Sequence, residues 1–123
     1  MDGGLYIMKV LIITENDDIC CMTDYIIKSK KTIDRHSTNE ELSYMDDNQY
    51  DIIIVDCDKT RIQKGDFKII FDIRCKTQTP ILVILDGGRT RDKLHILKIK
   101  ADDYIERPID TDKLEEKIVQ LLH

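Results

Sequence analysis

The chain has 123 residues, enough for one domain with its own buried core, and it carries 35% charged and 41% hydrophobic residues. This balance is typical of an ordinary globular domain and excludes a disordered tail. The net charge of −5 argues against direct binding of nucleic acid, because phosphate neutralisation requires a basic surface. The chain has no apolar run of membrane-spanning length and no N-terminal signal pattern. We therefore expect a single cytoplasmic domain over residues 1–123, with a loose leader at residues 1–7 and no membrane contact.

Five apolar runs alternate along the chain with stretches that favour helices, and each run predicts a strand. The predicted strands cover residues 8–14, 32–36, 51–55, 81–85 and 103–105. The predicted helices cover residues 17–29, a segment that starts near Ser37 or Thr38, and residues 67–76, 90–100 and 112–122. Thr38 and Thr111 are the predicted N-caps of the second and last helices, and a polar loop is predicted from the third strand to residue 66. This alternation predicts an α/β fold, a doubly wound five-stranded parallel sheet in the order 2-1-3-4-5 with five helices.

The run Tyr50-Asp-Ile-Ile-Ile-Val-Asp56 is the most informative segment of the sequence. Its four consecutive β-branched apolar residues predict a strand that is buried on both faces of a parallel sheet. Such a strand brings Asp56 to the carboxyl edge of the sheet, where open α/β sheets place their ligand sites. A carboxylate at this place can bind a cation or act as a nucleophile toward phosphorus. The alternative is that Asp56 only ends the strand and caps the next segment.

Acidic side chains follow the first and third strands, and a basic side chain follows the fifth. Glu15 and Asp58 would meet Asp56, because the carboxyl ends of parallel strands lie together. Asp17 lies nearby in sequence. Carboxylates this close repel each other unless a cation sits among them, and Mg²⁺ prefers a few carboxylates together with waters and a phosphate. Arg107 would neutralise this site or bind a phosphoryl group; alternatively, it forms a structural ion pair with no ligand.

Three segments make the chain resemble the receiver domains of two-component response regulators, over residues 9–122. Residues 50–56 are similar to that family's phosphoacceptor strand. Residues 79–85 and 101–108 are similar to its fourth and fifth strands, and the fifth strand of the family usually ends in Lys-Pro. Leu85 lies 22 residues before Arg107, a separation like the one between the family's Thr or Ser and its Lys. The resemblance is specific because the segments occur in the right order and at compatible spacing.

The resemblance implies a CheY-like, flavodoxin-like fold and a signalling function rather than an enzyme. Asp56 would accept a phosphoryl group from a histidine kinase, and Arg107 would contact that group. Glu15, Asp56 and the backbone carbonyl of Asp58 would bind Mg²⁺ weakly, with the Asp58 side chain as a further ligand. The signal would leave through the face formed by the fourth helix, the fifth strand and the fifth helix. The partner that this face contacts would be an output domain, an effector protein or a second copy of the chain.

The departures from the family pattern affect the same site. Thr14 and Glu15 stand where the family has two acids, Leu85 stands at its usual Thr or Ser, and Arg107 replaces its Lys. Because a hydrogen bond to a charged group contributes roughly 1.5–3 kcal/mol, phosphorylation is expected to be weakened without being prevented. The alternative is a pseudo-receiver that binds partners independently of phosphorylation. Since Arg107 precedes Pro108, the resemblance also implies a cis peptide bond there.

Four further residues are singled out by the resemblance. Tyr104 is similar to the aromatic residue that changes rotamer when receivers are phosphorylated, although that switch normally needs a hydroxyl on the fourth strand. The alternative is a packing tyrosine. Asp102, Asp103 and Lys117 match positions that form intermolecular ion pairs in dimers of transcription-factor-type receivers. One interpretation of these positions is a homodimer through the fourth helix, fifth strand and fifth helix; the alternative is a solvated helix face without a function.

A remote alternative comes from the run Asp56-Cys57-Asp58-Lys59-Thr60, which fits the DxDxT signature of haloacid-dehalogenase-like phosphatases. In that family the first Asp is the nucleophile and the second is a general acid. Those enzymes carry the motif on their first strand and need a longer chain after it. Here two predicted strands precede the motif, which favours the receiver.

Overall fold

A computed structural model describes residues 7–36 and 50–122 of the chain. Its five strands form one parallel sheet in the order β2-β1-β3-β4-β5, which confirms the predicted topology. The strands are β1 (Met8–Ile13), β2 (Lys31–His36), β3 (Ile52–Cys57), β4 (Ile81–Leu85) and β5 (Asp103–Glu106). The predicted leader, apart from Ile7, and the helix predicted to start near Thr38 lie outside the described residues.

The described residues contain five helices, one of which was predicted as a loop. The helices are α1 (Asp17–Ile26), α2 (Lys59–Lys64), α3 (Lys68–Lys76), α4 (Thr90–Lys98) and α5 (Thr111–Leu122). Helix α2 is short and mostly polar, so it lacks the apolar periodicity by which a helix is predicted. It begins because the Asp58 carboxylate accepts the N–H of Arg61 at 2.9 Å, and it ends at Gly65, whose φ of 64° is left-handed.

The predicted cap of the last helix was wrong by one residue. The helix begins at Thr111, and its free N–H groups are bound by the carboxylate of the preceding Asp110. Asp110 Oδ1 accepts from the N–H of Asp112 at 2.9 Å and, at 3.4 Å, from that of Lys113. Asp and Thr are both good N-cap residues, so the sequence alone did not separate the two neighbours.

The sheet separates two apolar layers of the core. Helices α2, α3 and α4 cover one face, hereafter the α2–α4 layer, and helices α1 and α5 cover the other, hereafter the α1–α5 layer. All six residues of β3 are buried, as expected for a central parallel strand between two layers of helices. Its side chains alternate: Ile53, Val55 and Cys57 enter the α2–α4 layer, whereas Ile52 and Ile54 enter the α1–α5 layer.

The strand register brings three chain segments to the carboxyl end of β3. Ile13, the last residue of β1, pairs with Val55, so Thr14 follows directly beside Asp56. Glu106, the last residue of β5, pairs with Leu85. The N–H of Arg107 donates to the Leu85 carbonyl at 2.8 Å, which extends this pairing by one residue. The peptide bond between Arg107 and Pro108 is cis, as predicted.

The amino edge of the sheet is held by Arg74, near the end of α3. Its guanidinium donates to the carbonyls of Lys100 at 3.0 Å, Thr77 at 3.0 Å and Thr79 at 2.9 Å. Its remaining terminal nitrogen, Nη2, lies 2.7 Å from the Asp102 carboxylate, which also accepts the N–H of Ile81. One side chain therefore joins the end of α3 to both loops that enter β4 and β5.

Across the part of the chain that the structure describes, no helix combines the length and apolarity that a membrane span requires.

Candidate functional site

Asp56 is the penultimate residue of β3, and the residue is almost completely buried, with 4% of its surface exposed. Its Oδ2 accepts two short hydrogen bonds, one from Thr14 Oγ1 at 2.7 Å and one from Arg107 Nη2 at 2.7 Å. Thr14 Oγ1 also accepts the N–H of Asn16 at 2.9 Å, which orients the hydroxyl. A buried carboxylate is costly unless it is paired and hydrogen-bonded, and these two donors meet that cost at one oxygen.

Arg107 holds two carboxylates at once. While Nη2 binds Asp56, Nη1 donates to Asp18 Oδ2 at 2.8 Å. Partial burial acts to lower the pKa of the Arg107 guanidinium, but its hydrogen bonds to Asp18 and Asp56 outweigh that effect and raise it. In return, the hydrogen bond from Arg107 holds the pKa of Asp18 below its usual value. Arg107 is therefore charged at every physiological pH and fixed between α1 and β3.

Asp18 is the site residue that sequence reasoning missed. The sequence placed Asp17 near the cluster, but in the structure Asp17 pairs instead with Arg35 on β2, at 2.9 Å. Two adjacent acids open α1, and neighbouring residues on a helix point about 100° apart, so only one of them can face Arg107. Which one does so depends on how α1 is rotated about its axis against the sheet, and the sequence does not give this rotation even though the helix start at residue 17 was predicted correctly.

The second carboxylate oxygen of Asp56 differs from the first in its hydrogen bonding. Asp56 Oδ1 is buried and has no hydrogen-bond partner within residues 7–36 and 50–122. Buried carboxylate oxygens in native proteins are nearly always bonded to protein, water or a metal ion. An oxygen of this kind, at the carboxyl edge of the sheet, is a candidate for a nucleophile or a cation ligand.

The predicted Mg²⁺ ligands are only partly brought together. Among the described residues, no group of three or more His, Cys, Asp or Glu side chains is placed to hold a metal ion. The Asp58 carboxylate caps α2 through Oδ1, and its carbonyl accepts the N–H of Ile62 at 3.1 Å. Its role as an additional Mg²⁺ ligand stays a prediction. The unbonded Oδ1 of Asp56 still fits an ion that takes one or two carboxylates and completes its shell with water. Asp56, Glu15 and the Asp58 carbonyl stay the predicted donors for Mg²⁺.

Leu85 contributes no polar group to the site. Its side chain is fully buried and belongs to the α2–α4 layer together with Cys57, its partner in the strand register. At this end, the fourth strand therefore has only backbone atoms with which it could contact a phosphoryl group. The Leu85 carbonyl already accepts the N–H of Arg107.

Cys57 follows Asp56 but points into the opposite layer of the core. Its side chain is fully buried, and burial raises the pKa of its thiol to about 12. A thiol with this pKa is almost entirely protonated at neutral pH, so Cys57 does not act as a nucleophile.

Alkylation should separate the cysteines by their environment. At neutral pH, iodoacetamide is expected to modify the exposed Cys21 and Cys75 quickly, and Cys57 only when urea unfolds the chain. Peptide mass spectrometry after a short reaction measures each site separately. Modification of Cys57 at the rate of Cys75 in the folded protein would contradict the buried position.

The remaining predicted residues lie on and beside β5. Tyr104 is half-buried against the α2–α4 layer, with the Lys93 ammonium 5.9 Å from the centre of its ring. Asp103 and Lys117 bind each other at 2.9 Å, within the chain. Asp102 has a role that the sequence did not predict, because it is bound by Arg74 and by the start of β4. Contacts of Asp102, Asp103 and Lys117 with a second copy stay a prediction.

The curated relatives of this chain are response regulators. Over 73 residues it is 38% identical to the response regulator ArlR of Staphylococcus epidermidis, which covers 59% of this chain and 32% of that protein. Over 116 residues it is 28% identical to the cell cycle response regulator CtrA of Brucella ovis, which covers 90% of this chain and 48% of that protein. The chain thus spans about a third to a half of the length of these relatives. No protein-family model matches it.

Several solved structures of response regulators have the same fold. A two-component response regulator from Clostridium difficile has a TM-score of 0.74 and 26% identity, covering 94% of this chain and 95% of that one. A response regulator from Thermotoga maritima has a TM-score of 0.72, with 95% and 98% covered, and at 17% identity it shows the fold alone. The predicted resemblance is confirmed: this chain has the CheY-like fold of a response regulator receiver domain, and its curated relatives are response regulators.

Proposed function

We propose that this chain is a cytoplasmic receiver of two-component signalling, which accepts a phosphoryl group from a histidine kinase on Asp56 with the help of Mg²⁺. One observation carries the proposal. Asp56 stands at the carboxyl edge of the sheet. The Arg107 guanidinium binds one of its carboxylate oxygens, and the other oxygen has no hydrogen-bond partner among the described residues. The similarity to response regulators supports this general function.

The two oxygens of Asp56 have separate parts in the proposed transfer. Oδ1 uses a lone pair to form the new phosphorus–oxygen bond, and the phosphorus–nitrogen bond to the kinase histidine breaks and leaves its electron pair on that nitrogen. Oδ2 keeps Thr14 and Arg107 as hydrogen-bond donors. Bound Mg²⁺ would supply positive charge to the transferring oxygens. Arg107 provides a second cation from the protein itself, next to the place where the negative charge arrives.

The test is an intact-mass measurement after incubation with acetyl phosphate and Mg²⁺. The native chain should gain the mass of one phosphoryl group, and Asp56→Asn should gain none. Asp58→Asn is the matched control, because it removes a neighbouring carboxylate but retains a residue that caps α2 well. Chelation of Mg²⁺ should slow the uptake. Equal uptake by the native chain and Asp56→Asn would show that another residue is modified.

The surface formed by α4, β5 and α5 is the proposed signalling face. Leu94 on α4 is 62% exposed and Val119 on α5 is 47% exposed, so both helices present large apolar side chains. The ion pairs Lys93–Glu106 and Lys117–Asp103 join these helices to β5. The partner would be an output domain, an effector protein or a second copy. Exposed apolar groups rimmed by charges suit a contact of this kind.

The second candidate is a pseudo-receiver, which binds its partners without phosphorylation. It is favoured by the poor accessibility of the Asp56 carboxylate to a phosphoryl donor, since Oδ2 accepts two hydrogen bonds and Oδ1 is buried. The two candidates differ in one measurement. If native chain and Asp56→Asn bind a kinase or output partner with the same affinity, and neither takes up a phosphoryl group, the pseudo-receiver is the better account.

A further inference from the structure

We infer that Asp18 is the positioning residue for Arg107, holding its guanidinium so that the second terminal nitrogen stays available to Asp56 and to a phosphoryl group there. This inference rests on the proposed function and adds a residue that the sequence motifs did not indicate. Its basis is the chain of contacts from Asp18 Oδ2 to Arg107 Nη1 at 2.8 Å and from Arg107 Nη2 to Asp56 Oδ2 at 2.7 Å.

Asp18 is itself held in place, which a positioning residue requires. Its Oδ1 accepts the N–H of Ile19 at 2.8 Å, and its Oδ2 accepts from Arg107. Ile19 is completely buried in the α1–α5 layer, so this end of the carboxylate is tied to a helix that packs on the core. Both oxygens therefore have fixed partners, and the direction in which Asp18 presents its charge is set by α1.

Arg107 needs such a partner because its side chain is long, and the hydrogen bond from its N–H to the Leu85 carbonyl holds the backbone but not the guanidinium. With one contact, to Asp56 alone, the guanidinium can rotate or bind both oxygens of Asp56 at once. The contact with Asp18 uses one terminal nitrogen and leaves the other directed at Asp56. Preorganised donors are effective because they need no rearrangement when charge arrives.

The pair also gives a physical reason for an arginine at this position. A planar guanidinium carries separate nitrogens that can bind two carboxylates in fixed directions, whereas an ammonium offers a single charged atom. When a phosphoryl group joins Asp56, Nη2 can turn to its oxygens while Nη1 keeps its bond to Asp18. A lysine would have to share one nitrogen between the two tasks.

Asp17 provides a matched control on the same turn of α1. It is an acid like Asp18 and also forms an ion pair, but its partner is Arg35 on β2, and its side chain is 79% exposed. Replacement of either acid by Asn removes one negative charge from the start of α1. Only the replacement of Asp18 releases Arg107.

The test compares initial rates of phosphoryl uptake from acetyl phosphate by intact mass, in Asp18→Asn and Asp17→Asn and in each combined with Arg107→Lys. Asp18→Asn should reduce the rate on the order of tenfold, because the cation is no longer held at the phosphoryl site. Asp17→Asn should stay close to the native rate. In the Arg107→Lys chain, Asp18→Asn should have little further effect. Thermal unfolding of each variant shows whether it is folded, and Asp18→Glu replaces Asp18→Asn if it is not.

Each outcome decides one question. Equal rates for the native chain and Asp18→Asn would overturn the inference, and so would a loss that persists undiminished in the Arg107→Lys chain. Uptake by the native chain in those cases leaves the proposed function standing. If the native chain takes up no phosphoryl group, the proposed function fails, and the role of Asp18 in phosphorylation fails with it.

Discussion

Replacement of Arg107 by Met is expected to lower the free energy of unfolding by about 3 kcal/mol, since breaking a buried ion pair from one side leaves an uncompensated charge. The Asp56 side chain is only 3% exposed, and the Arg107 side chain 18%. In the variant, the carboxylate would keep only the Thr14 hydroxyl as a donor. Urea denaturation at neutral pH measures the change.

Two variants control this experiment. Arg35→Met breaks an exposed ion pair, in which the side chains of Arg35 and Asp17 are 42% and 79% exposed, and should change stability by less than about 1 kcal/mol. The double variant Asp56→Asn with Arg107→Met should recover most of the loss, because it removes the buried charge along with its partner. If Arg107→Met cost no more than Arg35→Met, Asp56 would not be the buried, Arg-dependent carboxylate described above.

Replacement of Arg74 by Lys is expected to lower the free energy of unfolding by about 2–3 kcal/mol, although the charge is conserved. An ammonium can keep the contact with Asp102 but cannot reach the three carbonyls that the guanidinium binds, and each lost hydrogen bond contributes roughly 1 kcal/mol. Urea denaturation again gives the value.

The control for Arg74 lies on the same helix. Lys68 forms an exposed ion pair with Asp72, one turn later on α3, at 2.8 Å. Lys68→Met should change stability by no more than about 0.5 kcal/mol. A similar, small effect of Arg74→Lys would mean that the hydrogen bonds from Arg74 to the three loop carbonyls contribute little to stability.

The sheet was predictable because its strands carry a strong local signal. Runs such as residues 52–55 and 81–85 are apolar and rich in β-branched residues, and alternation with helices leaves few possible topologies. The position of Asp56 and Arg107 at one edge follows from the same topology. Asp56 comes directly after one predicted strand and Arg107 two residues after another, so no knowledge of side-chain direction was needed to find them.

What the sequence did not show depends on side-chain direction and on short polar structure. Asp18 was missed in favour of Asp17, since the rotation of α1 about its axis decides which acid faces Arg107 and the sequence does not give that rotation. Helix α2 was taken for a loop because it is short and mostly polar and has no apolar periodicity. The contact of Asp102 with Arg74 was not predicted, because Arg74 is 28 residues away in sequence and no local pattern connects them.

The two-layered core sets the route by which a change at Asp56 can spread. By strand alternation, Asp56 shares its side of the sheet with Ile54, and so with α1 and α5, whereas Tyr104 packs against the layer that holds α4. The Asp56 side chain is thus on the same face of the sheet as α5, whereas the sheet separates it from α4. Communication with α4 has to go around the rim, where the β4 and β5 ends are joined through Leu85 and Arg107. If the proposed signalling face is used, its two halves would therefore respond in different ways, α5 through side-chain packing and α4 through backbone pairing.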